Sequence, residues 1–470
     1  MYRKVILFQI IIFLAFSVAI SRVLGQNRNV SKPSSSDSSP DSLKSNLFKS
    51  TLVLDSINNQ PYQFFTLQQC INYALVHQPA LNIALINIDV TNTTNKISLA
   101  GALPQISASG SLVHNIQSAS SSSNTNNKPY SDTFIPGITA SQSLFNPSLL
   151  YAYKSAPLYT TQATQIRDST KIMLVDAVSK SFYSVLLTLE QINVLKGDTA
   201  EFGKSFRDAY HQYKGGIVDE TDYEQAEITL NNTKAQLKQA NENVIPQYAA
   251  LKQLMGFPPE KQFNVLFDTL QMMKSIHIDT NQQLQYEKRI EFQLLNTDKN
   301  LQQQLVDYYH FSWLPTVSAN FQYNLAFENN QIGSLLSTSY PSSLIGLSFN
   351  IPIFTGFSRL NNLHKAKLQA QILDWRQTEL KSAINTQYSS ALANYKSNYY
   401  NLQLLQRNVA LSRRVYFVVQ LQYKQGIVPY LNVITAQSNL ITSEINYLNA
   451  LFQVLSNKID LEKAMGQISY

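Results

Sequence analysis

YKGGIV (residues 213–218) and YKQGIV (residues 423–428) stand 210 residues apart, and the register that superposes them carries further matches on the C-terminal side. Tyr213, Lys214, Gly216, Ile217 and Val218 fall over Tyr423, Lys424, Gly426, Ile427 and Val428, and Ala226 falls over Ala436. Downstream, Leu251, Met255 and Gly256 fall over Leu461, Met465 and Gly466. At a spacing of 211, LPQISA (103–108) overlies LPTVSA (314–319). Solenoid units run to roughly 20–45 residues, so a period this long means duplication of a whole module. The chain reads as two structural halves.

Upstream of each glycine, apolar residues return every three or four positions. Leu174, Val178, Phe182, Val185, Leu189 and Ile192 do so in a helix expected from about Leu158 to Lys214. Ile384, Tyr388, Leu392, Tyr395, Leu402, Leu405 and Val409 repeat the pattern in the second half. It breaks at Gly216 and Gly426 and resumes through Leu251 and Leu461. Glycine at a helix end takes the left-handed conformation that closes the helix, so each YKxGIV is a turn between two antiparallel helices. Some 60 residues of helix rise about 90 Å. Pro157 is expected to mark a helix start and Pro246 a kink. The stripes read as coiled-coil core and not as a ligand site.

Elsewhere in each half the period is two. Val317, Ala319, Phe321, Tyr323, Leu325 and Phe327 alternate with Ser318, Asn320, Gln322, Asn324 and Ala326, giving one apolar and one mainly polar face. About ten residues is the length a tilted strand needs to cross a bilayer, so Val317, Ala319, Phe321, Tyr323 and Leu325 are expected to face lipid. Ile106, Ala108, Gly110 and Leu112 form the counterpart, against Ser107, Ser109, Ser111 and Asn115. Strands are expected at about 104–117 and 134–145, and at about 316–327 and 343–354. The polar segments SASSSSNTNNKPYS (118–131) and Glu328–Pro341 join them as loops. Four strands cannot cover a core by themselves, which favours a membrane setting over the wet edge of a soluble sandwich. They also leave two open edges, where each unpaired backbone group in lipid costs several kcal/mol. Two chains would close eight strands around their own side chains, whereas three would close twelve and leave room for water. A homotrimer is expected.

The ends and the composition agree with an exported, long-helix protein. Arg3 and Lys4 precede an apolar run from Val5 to Ile20 and the small-residue pattern Val23-Leu24-Gly25, a signal peptide over 1–25. Residues 26–62, with SKPSSSDSSPDS, read as a flexible Ser/Asp/Pro-rich lead-in. The first module follows at 63–268, a connector at 269–282 and the second module at 283–470. Past residue 25 no run of 18 consecutive apolar residues occurs, and so no transmembrane helix is expected. Charged residues make up 14%, and 14 glycines with 16 prolines are few for 470 residues, which favours long unbroken elements. The net charge of +7 is scattered, and nucleic-acid binding is not expected of an exported chain. The single cysteine, Cys70, excludes a disulfide framework and a Cys-based zinc site and reads as a small buried apolar residue.

Catalysis finds little support. His77, His114, His211, His277, His310 and His364 include no pair at helical metal-site spacing, and GxSxG, HExxH and phosphate-binding glycine loops are missing. The carboxylates of TDYEQAE (221–227) read as solvated turn residues and not as an acid/base pair. No enzyme, cofactor or metal is expected. A trimeric coiled-coil adhesin or structural stalk is the alternative, but such a chain would carry strands at one end only.

Taken in order, TLQQCINYALVHQPAL (66–81), the two LPxxSA strand starts, the SLF and PIF strand ends and the two YxxGxV turns resemble the TolC-like outer-membrane efflux proteins. The resemblance covers about Phe65 to Gly466. It implies a mainly α fold with a membrane β-barrel, in which each chain gives four strands to a twelve-stranded trimeric barrel continued by a coiled-coil tunnel into the periplasm. It implies an outer-membrane exit duct that works with a periplasmic adaptor protein and an inner-membrane pump or ABC transporter. The helix turns become the periplasmic tip, where Gly216, Ile217, Val218, Gly426, Ile427 and Val428 are the expected adaptor contacts. Members often carry acidic residues just past the second turn, at the positions held here by Asn432 and Thr435. An acidic entrance would therefore rest on Asp219, Glu220 and Asp222 of the first half.

Overall fold

The computed structural model describes residues 52–54, 61–116, 130–266, 276–280 and 282–468. The expected signal peptide and most of the lead-in lie outside these residues. Strands β1 (Leu52–Leu54), β2 (Pro61–Phe65) and, much later, β5 (Phe263–Val265) make a small sheet in which β2 lies antiparallel to β1 and parallel to β5. The lead-in therefore gives way to structure at Leu52, ahead of the expected boundary at 62. The apolar run Leu-Val-Leu is long enough to pair but too short to show a period.

The first half continues through α1 (Leu67–His77) and α2 (Pro79–Ala100). Thr66 starts α1 with a capping box: its Oγ1 accepts from Gln69 N at 3.3 Å and its own N–H donates to Gln69 Oε1 at 2.9 Å. Pro79, at the first position of α2, forces the break between them. Then come β3 (Gln105–His114), β4 (Asp132–Phe145), α3 (Pro147–Lys214) and α4 (Glu220–Met255). The second half repeats the order with a short 3-10 turn (Tyr286–Lys288), α5 (Ile290–His310), β6 (Thr316–Asn329), β7 (Ser339–Asn350), α6 (Ser358–Lys424) and α7 (Tyr430–Met465).

One helix expectation needs correction. Helix α3 starts at Pro147 and runs through Pro157. Asn146 accepts from Ser148 N at 2.9 Å as N-cap, and Pro147 takes the position where a missing N–H leaves nothing unsatisfied. Pro157 is thus an interior residue, with Ser155 and Thr160 hydroxyls bonded to carbonyls one turn back. Helix α4 runs through Pro246 to Met255, a span compatible with the kink expected there. By length and composition α3 could also cross a membrane, but 56% of its most apolar stretch is buried among other helices, the mark of a core element.

The four long strands form one antiparallel sheet in the order β3-β4-β6-β7, with β3 and β7 at its edges. Strand β7 lies about four residues earlier than expected. Its start falls in the stretch read as a loop, because β6 runs on to Asn329 and Phe327 pairs with Ser339. Its last pair is Asn350 with Thr316, the first residue of β6, so among the described residues Ile351–Phe354 have no partner strand.

The core lies where α3, α4, α6 and α7 meet the small sheet. Leu174, Val178, Phe182, Val185 and Ile192 of the predicted seam are buried, as are Ile384, Tyr395 and Leu402 of its counterpart. Phe65, Phe257 and Phe263 stack edge-on at 5.0–5.9 Å around the small sheet. Cys70 is fully buried, and burial pushes its thiol up to about 12. The duplication extends to the helix ends. Gly256 and Gly466 close α4 and α7 at φ +66° and +68°. A Cβ there would meet the carbonyls of His77 at 2.6 Å and Lys288 at 2.8 Å, residues that are themselves 211 apart. One residue further on, Gln78 and the buried Arg289 donate to carbonyls in the last turns of α4 and α7.

Candidate functional site

Both YKxGIV segments close a helix in the same way. Gly216 and Gly426 adopt φ +71°. Ile217 N donates to Gln212 O and Ile427 N to Gln422 O, each at 2.9 Å, while the glycine N–H reaches Tyr213 O or Tyr423 O. These paired bonds are the Schellman closure, which satisfies carbonyls that the helix end would orphan. A hydrophobic contact often accompanies it, yet Ile217 is 75% exposed and Ile427 68%. Val218 and Val428 are half-buried. The two isoleucines thus stand free at the ends of two adjacent hairpins.

Behind the turns the hairpins are joined by tyrosines. Ala209, Ala226, Tyr416, Tyr430, Val433 and Ala436 form a separate buried cluster. The duplicated alanines Ala226 and Ala436 are 1% and 5% exposed, small enough for the helices to approach around the rings. Tyr423 donates its hydroxyl to Gln212 Oε1 at 2.8 Å, and its ring packs at a tilt against Tyr430 with centroids 5.1 Å apart. Higher up, Tyr416 donates to Glu201 Oε1 at 2.7 Å and accepts from Gln437 and Gln420. Tyr423 could be found in the sequence through its duplication with Tyr213. The Tyr416–Glu201 bond joins residues 215 apart and leaves no local signal.

Charge at the turns is asymmetric. Asp219 is the N-cap residue of α4, and Glu220 and Asp222 lie in its first turn, whereas α7 begins after Pro429 with no acid in its first turn. Asp222 is half-buried, and burial followed by the nearby Asp219 raises its pKa. Its charge also reaches across to Tyr423 and Tyr430, whose pKa values rise from burial and from neighbouring charge. Asn432 and Thr435 are exposed on α7, with Thr435 Oγ1 donating to Leu431 O at 2.9 Å. Among the described residues no hydrogen bond joins Asp219 or Asp222 to Asn432 or Thr435. A second acidic group, missed in the sequence, lies above the turns. Asp198 is pushed up to about 7 by burial, then by Glu444 and Glu201, against the opposing charge of Arg413. Arg413 itself pairs with Glu444 at 2.6 Å.

In the sheet, register decides which residues share a face, because directly opposed residues lie on the same side. Val317, Ala319 and Phe321 oppose Phe349, Leu347 and Ile345 on one side, and Phe145, Gln142 and Ala140 on the other. Tyr323 opposes Ile138, and Leu325 opposes Pro341. The face continues onto β3 at Ile106, Ala108, Gly110 and Leu112. On the other face Ser107 bonds Thr139 at 2.7 Å, and Asn320 donates to Ser348 at 2.8 Å. Segregation is incomplete: Leu344 and Ile135 sit on the polar face and Gln142 on the apolar one.

The fold is similar to that of solved outer-membrane channels. The family model described as outer membrane efflux protein matches residues 70–257 and 295–467, one block in each half. The chain belongs to this family. This efflux protein is 23% identical over 428 residues to the probable efflux pump outer membrane protein TtgC of Pseudomonas putida, covering 86% of the chain and 84% of the relative. In fold it is similar to the outer membrane protein VceC of Vibrio cholerae, with a TM-score of 0.70, 15% identity and coverage of 85% and 96%. The CmeC outer membrane channel of Campylobacter jejuni gives a TM-score of 0.70, 19% identity and coverage of 85% of each chain. The efflux protein is accordingly a channel component of the outer membrane, in a family of transport ducts and not of enzymes. The adhesin or stalk alternative falls away.

Proposed function

We propose that three copies close a twelve-stranded barrel in the outer membrane and that their helices continue it as a tunnel into the periplasm. The observation that carries this reading is the open four-stranded sheet, with two unpaired edges and an apolar face that includes Val317, Ala319, Phe321, Tyr323 and Leu325. Such edges cannot persist in lipid. Closure by three copies satisfies them, turns the apolar face to lipid and leaves a polar lumen. Efflux then proceeds by diffusion through the duct, with energy supplied by an inner-membrane pump or ABC transporter. The TtgC relative bears the name of an efflux pump component, which supports a partner of this kind.

Gly216, Ile217, Val218 and their counterparts Gly426, Ile427 and Val428 form the docking surface for a periplasmic adaptor. Ile217 and Ile427 are exposed and apolar beside rigid caps, which suits the apolar face of a helical hairpin. Asp219 and Asp222 give the entrance its negative charge, while Asn432 and Thr435 contribute neutral polar groups. Replacing both isoleucines, Ile217→Asp with Ile427→Asp, is expected to leave trimer amount and heat resistance near wild type while abolishing export and adaptor crosslinking. Retained export with normal crosslinking would place recognition elsewhere on the tunnel.

A further inference from the structure

The internal duplication carries information about the contact between copies. Within the sheet of one chain the two halves meet where β4 of the first half pairs with β6 of the second. The sheet's free edges are β7 of the second half and β3 of the first. These are the same two kinds of strand, with the halves exchanged. The correspondence is fixed by register: LPQISA and LPTVSA place β3 on β6 at a spacing of 211, and SLF (143–145) and PIF (352–354) place β4 on β7 at a spacing of 209. The hairpin registers agree with these spacings taken together, since Gln105 opposes Ser141 in the first and Thr316 opposes Asn350 in the second.

We infer that β7 pairs antiparallel with β3 of a second copy of this chain in the register that joins β4 to β6, and that pairing extends β7 through Phe354. The inference rests on the trimeric-barrel reading above. Ala140 opposite Phe321 becomes Phe349 opposite Gly110 of the partner subunit, and Ile138 opposite Tyr323 becomes Leu347 opposite Leu112 of the partner subunit. Phe145 opposite Val317 becomes Phe354 opposite Ile106 of the partner subunit.

Three features of the chain fit this register and have no account in a single copy. First, the apolar and polar faces stay continuous across the junction, so that Ser348 meets Ser111 of the partner subunit and Asn350 meets Ser109 of the partner subunit. A slip by one residue would mix the faces. Second, Ile351, Ile353 and Phe354 are 60%, 91% and 74% exposed although they continue an apolar strand. Their counterparts at the end of β4 are held by β6 alone, beyond the reach of β3, and include a register shift between Ser143 and Phe145. Ile353 takes the place of the extra residue in that bulge. Third, Gly137 makes room for the side chain of Asn324, with which a Cβ would collide. Its counterpart Gly346 has nothing within 4 Å of where a Cβ would be, the space that Val113 of the partner subunit would occupy.

Cysteine pairs on the polar face test the register. Opposed residues in an antiparallel pair lie about 4.5–5.5 Å apart at Cα, within the range of a disulfide. Within one chain β3 and β7 are three strand spacings apart, about 14 Å, so any bond between them joins two copies. Ser111→Cys with Ser348→Cys, and separately Ser109→Cys with Asn350→Cys, should convert most of the chain to covalent multimers on oxidation in the membrane. The slipped pair Ser109→Cys with Ser348→Cys should leave most of it monomeric on a denaturing gel. Cys70 is buried and does not compete. Crosslinking of the slipped pair in preference to the matched ones, or of none of the pairs in a particle with the mass of three chains, would overturn the register and leave the trimer standing. No crosslink in a particle with the mass of one chain would overturn the trimeric reading itself.

Discussion

Gly216 and Gly426 carry their constraint in the backbone alone. Both hold φ +71°, and both have open space where a Cβ would stand. A valine at either site is therefore strained by about 1–2 kcal/mol through its backbone and not through a clash. Gly216→Val or Gly426→Val should speed hydrogen exchange at the amide of Ile217 or Ile427 about 5–30-fold, with the heat resistance of the assembly unchanged. Unaltered exchange would mean that the turn relaxes without loss. Asp198 gives a pH signature a few turns away. Its folded pKa near 7 lies above the ordinary carboxylate value of about 3.9. The folded state then binds this proton more tightly, so the contribution of Asp198 to stability is full below about pH 4 and is lost as pH rises to about 7. Exchange protection around Glu201 and Tyr416, corrected for intrinsic rates, should be greater at pH 5 than at pH 8. Asp198→Asn should flatten that difference, and an unchanged difference would assign it to another group.

Among the elements, the long helices and the sheet were legible because they repeat a period many times. The seam from Leu174 to Ile192 and the alternation from Val317 to Phe327 each supply enough turns or pairs to stand above chance. Short or non-local features were not legible. Strands β1 and β5 have three residues each, too few for a pattern. The start of α3 was hidden because Asn146-Pro147 begins the helix before its apolar stripe does. The displaced β7 follows from pairing partners and not from its own sequence, since SYPSS reads as a turn in isolation but meets β6. The face assignment makes a prediction at this scale. If the Phe321 face meets lipid, Phe321→Arg or Leu325→Arg should reduce stability by about 2–4 kcal/mol near the midplane, and Gln322→Arg much less. Equal loss of folded outer-membrane protein from both sets would reverse or erase the faces.

For the whole molecule, the duplicated turn motif revealed two halves, and the open sheet makes the single chain incomplete. The tip was legible in part: the duplicated glycines, isoleucines and alanines marked the turns, whereas the bonds from Tyr416 to Glu201 and from Tyr423 to Gln212 depend on how the two hairpins pack. In the proposed trimer, the lipid face and the ring of turns both depend on the edges β3 and β7 finding partners in other copies. The most direct test is the detergent-corrected mass of the protein extracted from the outer membrane, measured by sedimentation or light scattering. The account predicts the mass of three chains, and a stable particle of one or two chains would contradict it.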